Sequence, residues 1–263
     1  MQETNQKFIS VRNLIKKFEG RIVLDNINFD IRQGEIFVIV GGSGSGKSTL
    51  LRTMTGAIKP DQGEVYYNGK DIHSLNEEEM DKFRKRFGMS FQNSALLDFL
   101  TVEENVSLPI YEHTRLDAKL IGIIAQMKLK LVGLHGFENF QVSQLSGGMR
   151  KRVGLARAIA MDPEIVFYDE PTAGLDPVVC AVVDQLILDL TKKLNLTSVV
   201  VTHNMESVFR IADRIAMLYK GKMLQVGTKD EIKNSKDPII QQFIKGEIEG
   251  PIHLNEDVIK DSM

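Results

Sequence analysis

Only one cysteine, Cys180, occurs in 263 residues. That excludes a disulfide within the chain, fits a reducing compartment, and leaves Cys180 to read as a small core hydrophobe. The five histidines, at 73, 113, 135, 203 and 253, are scattered without metal-ligand spacing. No apolar run approaches the roughly 20 residues a spanning helix needs. The strongest, Ile36-Phe37-Val38-Ile39-Val40, has the length of one buried strand. The opening MQETNQKFIS is polar and lacks the apolar stretch of a signal peptide. Service to a membrane is therefore expected from outside the bilayer. Excess charge is absent too: the formal net charge is -2, which argues against a globally basic nucleic-acid binder. No internal repeat or low-complexity segment is visible.

What remains is an ordinary folded composition, 43% hydrophobic and 26% charged, long enough for one elaborate domain or a domain with an insertion. Alternation at Phe8, Val11 and Leu14, then Ile22, Leu24, Ile27, Phe29 and Ile31, predicts short strands with turns at Glu19-Gly20 and Gln33-Gly34. After the run 36–40 comes a Gly/Ser-rich turn, then a helix from Lys47 to about Ala57. A turn at 59–63 precedes a strand at 65–67 that ends at Asn68-Gly69. Residues from about 93 to 160 show helical spacing (Ile121, Ile124, Ala125, Lys128, Leu131) and predict a helical subdomain inserted in the core. Two buried-strand runs follow, 165–168 and 198–201, with helical stretches between and after them. Buried strands alternating with helices imply a mostly parallel α/β sheet covered on both faces, with ligands at the carboxyl ends of its strands.

Each chemical motif falls at such an end. Gly41-Gly42-Ser43-Gly44-Ser45-Gly46-Lys47-Ser48, followed by Thr49, matches G-x-x-x-x-G-K-[ST] between a strand and a helix. Glycines there let backbone N–H groups converge on phosphate oxygens, and the helix N-terminus adds roughly half a positive charge. Lys47 reaches the β- and γ-phosphates and Ser48 offers an oxygen to Mg²⁺. The second motif, Ile165 to Glu170, is an apolar strand ending in adjacent acids. Asp169 can hold Mg²⁺ through water, and Glu170 can polarise the attacking water as general base. Together these predict a nucleotide hydrolase. In Leu145-Ser146-Gly147-Gly148-Met149, a serine and glycines stand before an Arg/Lys/Ala-rich helix.

With that third motif between the other two, the sequence resembles the ABC-transporter ATPase family over about residues 8–245. The resemblance implies a P-loop (RecA-like) core with an N-terminal antiparallel β-subdomain and the inserted helical subdomain, one domain over 1–245, and a tail at 246–263. It implies that Ser146, Gly147 and Gly148 grip the γ-phosphate of ATP bound to a second copy. It places Phe18 on the adenine ring, Gln92 as the Mg²⁺-sensing glutamine, Asp176 in the loop that crosses the dimer interface, and His203 on the γ-phosphate. Met149 replaces the usual signature glutamine. The gripping atoms belong to Ser146 and Gly148, so activity is expected to survive.

Within the family the resemblance is to Mla-type phospholipid transport ATPases of diderm bacteria. It is carried by Ser-Gly-Gly-Met-Arg-Lys-Arg (146–152), the run 105–114 and the tail from Phe243 to Pro251. Those systems imply a permease, an MCE-domain lipid-binding protein, a small accessory subunit and a place on the cytoplasmic face of the inner membrane. Nucleic acid is not expected: a non-transport ABC protein usually has two cassettes in one chain or a long coiled coil. An ATPase for another cargo, such as amino acids, shares every motif and stays open. The apolar run 95–100, just past Gln92, is expected to border a groove for a membrane partner's coupling helix, or else to be core packing. The tail from Gly246 reads either as a disordered end or as a strap against the second copy.

Overall fold

The computed structural model describes residues 7–252. Strands β1 (Lys7–Phe18) and β2 (Arg21–Arg32) open the chain, and β3 (Ile36–Val40) leads into helix α1 (Lys47–Met54). Next come β4 (Gln62–Tyr67), β5 (Lys70–Asp71), α2 (Glu77–Arg84) and β6 (Phe87–Ser90). Three helices follow: α3 (Val102–His113), α4 (Ala118–Leu131) and α5 (Gly147–Ala158). The chain then runs through β7 (Ile165–Asp169), α6 (Pro177–Lys193), β8 (Thr197–Thr202) and α7 (Met205–Ile211). It closes with β9 (Arg214–Tyr219), β10 (Lys222–Thr228), α8 (Lys229–Lys233) and α9 (Pro238–Lys245).

Two sheets result. One is antiparallel, in the order β2-β1-β4-β5; the other has the order β10-β9-β3-β8-β7-β6. Within the second, β9, β3, β8, β7 and β6 run parallel and only β10 is reversed. β3 shows why its sequence is a solid apolar run. Ile36, Val38 and Val40 join a buried cluster with α3, α4, α5, α6 and α7, while Phe37 and Ile39 join a cluster with β1, β2, β4 and α1. A strand covered on both faces has no polar side to alternate. β7 does the same, with Val166 and Tyr168 on one face and Ile165 and Phe167 on the other.

The predicted strands and turns of the first third are present, as are the buried strands at 36–40, 165–169 and 197–202. Residues 93–160 are helical from Val102 onward, and α3, α4 and α5 share the sheet's buried cluster. Helical stretches do follow residue 201, as α7, α8 and α9, but two strands not predicted from the sequence lie among them. β9 and β10 lie there, β9 hydrogen-bonded to β3, so the strand carrying the phosphate loop is central and not an edge. The β9–β10 hairpin turns at Lys220-Gly221, both with positive φ, as do Glu19-Gly20 and Asn68-Gly69. Gly221 is also pressed against the Val23 carbonyl oxygen, 2.5 Å from where a Cβ would stand. Among the described residues no helix is long and apolar enough to cross a membrane.

Candidate active site

The loop after β3 is shaped by its neighbours. A Cβ on Gly41 would stand 2.1 Å from the Leu218 carbonyl oxygen in β9, so no side chain fits. Gly46, in the left-handed region, is the N-cap of α1. Lys47 begins that helix and is nearly buried. Its Nζ donates to the carbonyls of Gly41 (2.7 Å) and Gly42 (2.9 Å), folding the side chain back along the loop. Burial lowers its pKa, and the charges of Glu170 and Asp169 oppose that shift. Ser45 Oγ is buried and has no hydrogen-bond partner among the described residues.

β7 delivers the two acids. Asp169 is its last residue, and its pKa is raised, first by burial and then by the Glu170 charge, against the pull of Arg52, Lys47 and Lys151. Glu170 has φ +47°, a left-handed conformation that costs about 1–2 kcal/mol for a residue with a side chain. Its surroundings fix that geometry. The Glu170 N–H donates to Val201 O at 2.9 Å; its carboxylate accepts from Thr202 Oγ1 at 3.1 Å and lies 2.8 Å from His203 Nδ1. Glu170 is 9% exposed, whereas the His203 side chain, just past β8, is 64% exposed and free to meet a ligand.

One cavity of about 870 Å³ joins these groups, within the range of ligand sites. Residues 42–49, Gln92, Glu170 and His203 line it. A buried lysine, an unpartnered buried hydroxyl and convergent backbone at a helix N-terminus fit a polyphosphate. Ser48 and Gln92 line the cavity that holds the phosphate loop, while Asp169 ends the strand beside it. These oxygens suit a hard cation such as Mg²⁺.

The sequence profile of the ABC transporter family matches residues 24–173. The chain belongs to that family. It is 43% identical over 260 residues to the intermembrane phospholipid transport system ATP-binding protein MlaF of Haemophilus influenzae, covering 98% of each chain. It is 38% identical to the protein of the same name from Escherichia coli K12, over 96% of this chain and 94% of that one. A probable ribonucleotide transport ATP-binding protein of Mycobacterium leprae is 36% identical, over 97% of this chain and 74% of its own. Among solved structures, a dimeric ATP-binding cassette in a post-hydrolysis state, bound to ADP and Pi, superposes with a TM-score of 0.76 at 35% identity. It covers 84% of this chain and 98% of that one. The chain is therefore an ATPase.

Not every predicted site residue reaches the cavity. Phe18 ends β1, is 45% exposed and has Lys16 Nζ 5.3 Å from its ring centroid, but it does not line the cavity. Ser146 caps α5, accepting from Met149 N at 3.2 Å, and Gly147 and Gly148 form its first turn, all outside the cavity. Asp176 caps α6, accepting from Val178 N and Val179 N at 3.0 Å each. Other residues line it without having been predicted: Val23, Tyr219, Gln242, Phe243, 246–248 and Ile252. The Gln242 side chain holds that last segment, donating to the carbonyls of Glu247, Ile248 and Ile252 and accepting from Ile252 N. The part of the tail from 253 lies outside the described residues.

A second hollow of about 410 Å³ opens beside the loop after β6. Phe91, Ala95, Leu97, Leu108, Pro109 and Met161 give it an apolar floor, and Arg84, Glu112 and Arg157 give it a charged rim. Leu97 lies in it; Phe99, 79% exposed, does not.

Proposed function

We propose that this ABC ATPase energises phospholipid transport between the inner and outer membranes, working as a pair of copies on the cytoplasmic face of the inner membrane beneath a permease. An MCE-domain lipid-binding protein and a small accessory subunit complete the assembly. The phospholipid reading is supported by likeness over nearly the whole length of two proteins named for that transport. The catalytic reading rests on one observation: residues 42–49, Gln92, Glu170 and His203 face a single cavity.

In this reading the backbone N–H groups of the loop 41–46 and Lys47 bind the ATP phosphates, Lys47 exchanging the Gly41 and Gly42 carbonyls for phosphate oxygens. Ser48, Asp169 and Gln92 hold Mg²⁺, which when bound neutralises charge on the β- and γ-phosphates. Glu170 orients and deprotonates the attacking water, and His203 steadies the γ-phosphate while its Nδ1 fixes the Glu170 carboxylate. Ser146, Gly147 and Gly148, with Asp176 nearby, close the site of the opposite copy, which accounts for their distance from the cavity of their own chain. Phe18 stacks on the adenine. ATP binding thus joins the pair, and loss of the γ-phosphate parts it; that two-state cycle works the permease through the hollow beside Leu97.

Glu170→Gln tests the core. Hydrolysis is expected to fall ~10²–10⁴-fold while ATP binding and ATP-dependent pairing persist. A variant that turns over at the parent rate removes the general-base role. Purification from native membranes in mild detergent tests the cargo. Co-purification of a permease, an MCE-domain protein and phospholipid is expected; a permease with a soluble solute-binding protein assigns another cargo to the same ATPase.

A further inference from the structure

Lys151 lies in the basic run 150–152, at the start of the Arg/Lys/Ala-rich helix. In the fold it is buried, 8% exposed. Its ammonium donates to two backbone carbonyls, those of Gln92 and, at 3.3 Å, of Glu170. No carboxylate lies within ion-pair distance of it among the described residues. Burying a cation is costly unless what it holds is worth more.

What it holds is the meeting point of two strained segments. Glu170 has φ +47°, and two residues past Gln92 the loop passes through Ser94 at +57° and Ala95 at +45°. None of these is a glycine, so each conformation persists only if its surroundings impose it. Helix α5 does so along one ridge. Lys151 takes the Gln92 carbonyl; Gly154 lets Ser94 approach to 3.3 Å of where a Cβ would stand; Arg157 donates to the carbonyls of Ser94 and Ala95. The loop's other side is the wall of the apolar hollow, through Phe91, Ala95 and Leu97. Lys151 is the member of this ridge that also reaches Glu170.

We propose that Lys151 is a positioning residue for hydrolysis: a buried cation that pins the backbones of Glu170 and Gln92 to one point and so ties the catalytic carboxylate to the loop bordering the partner groove. The inference rests on the general-base reading of Glu170. Its physical basis is geometric. An in-line attack tolerates little error, and a displacement of about 1 Å can cost 10²-fold in rate. Thr202 and His203 hold the carboxylate; Val201 holds the Glu170 N–H; on the carbonyl side Lys151 shares the oxygen with the Ala173 N–H (3.1 Å) and alone of the two also reaches Gln92.

The test compares Lys151→Met and Lys151→Arg in the full chain, reading kcat, KM for ATP, melting midpoint and binding of a fluorescent ATP analogue. Met matches the stem of lysine and removes the buried charge, so loss of two hydrogen bonds is offset by loss of a desolvation cost and the protein is expected to stay folded. Lys151→Gln, a shorter neutral donor, serves as a second variant. The expected result for Met is a fall in kcat of roughly 10–100-fold, with KM and analogue binding within about 3-fold of the parent. Arg, which can donate to both carbonyls, is expected to restore most of that loss. An unchanged kcat in a folded Met or Gln variant overturns the proposal. So does a rise in KM at constant kcat, or an Arg variant no better than Met. If Glu170→Gln itself hydrolyses normally, the base reading has failed; if it is inactive while Lys151→Met is not, only the role of Lys151 has.

Discussion

Gly41 shows how much one hydrogen atom decides. The Leu218 carbonyl on the neighbouring strand leaves no space for a Cβ, which would lie 2.1 Å from that oxygen and 2.7 Å from Ser45 Oγ. The nearer wall is backbone of a strand paired in parallel with β3, so it does not yield cheaply. Gly41→Ala is expected to cost ~1–3 kcal/mol and to weaken nucleotide binding, because the loop itself must shift. Gly42 is the control. Nothing lies within 4 Å of its missing Cβ, and Gly42→Ala is expected to change stability by no more than about 0.5 kcal/mol. Calorimetric melting of the two variants checks this; equal losses would show that the close approach is not what constrains the loop.

At the scale of elements, α6 and α7 are joined by an ion pair between a buried aspartate and a partly exposed arginine. Asp184 on α6 is fully buried; one carboxylate oxygen accepts from Arg210 on α7 and the other has no partner among the described residues. Burial raises the Asp184 pKa, while Ser207 and Arg210 pull it back. Arg210→Ala leaves that charge alone and, because the arginine is itself partly solvated, is expected to cost ~1–3 kcal/mol. The sign with pH follows. Without Arg210 the native pKa rises further, so the native state keeps its proton where the unfolded chain has lost it. Stability then falls as pH rises from the ordinary carboxylate value through the raised native one. Urea unfolding should therefore show a larger penalty at pH 8 than at pH 5; an equal penalty would mean that Asp184 is not the group left exposed to the change. Elements differ in how plainly their sequence announces them. β3, β7 and β8 are legible because burial on both faces leaves apolar runs, and the phosphate loop because of its Gly/Lys/Ser spacing. β6 and β9 are not. Phe-Gly-Met-Ser is short and holds a glycine whose Cβ would stand 2.0 Å from Ala158 O. Arg214–Tyr219 carries the helix formers Ala, Met and Leu, and only pairing with β3 and β10 makes it a strand. In the site, Lys47 and Glu170 could be found from motif spacing, and His203 from the family resemblance. Lys151 and Thr202 could not, since their roles depend on which carbonyls and carboxylates the tertiary fold brings to them.

At the scale of the whole molecule, two hollows among the described residues border one loop. The larger holds the phosphate loop and Glu170; the smaller is apolar and rimmed by charge; Gln92 lines the first and Phe91, Ala95 and Leu97 line the second. A membrane partner seated in the smaller hollow would press on the loop that α5 straps beside Glu170, which is a direct mechanical route between transport and hydrolysis. Leu97 and Phe99 separate a groove from a merely sticky loop. Leu97 lies inside the hollow with its N–H and carbonyl both bonded to the Asn105 side chain, so its backbone is fixed independently of its side chain. Phe99 is 79% exposed and outside it. Leu97→Asp puts an unpaired carboxylate against an apolar floor, a cost of about 1–3 kcal/mol to docking, and is expected to release the permease while the isolated subunit hydrolyses ATP within about 3-fold of the parent. Phe99→Asp is expected to leave the complex assembled. Co-purification of tagged variants with the permease reads both. Assembly that survives Leu97→Asp would place the partner elsewhere on the molecule, and assembly lost only with Phe99→Asp would move the contact from the hollow to the exposed tip of the loop.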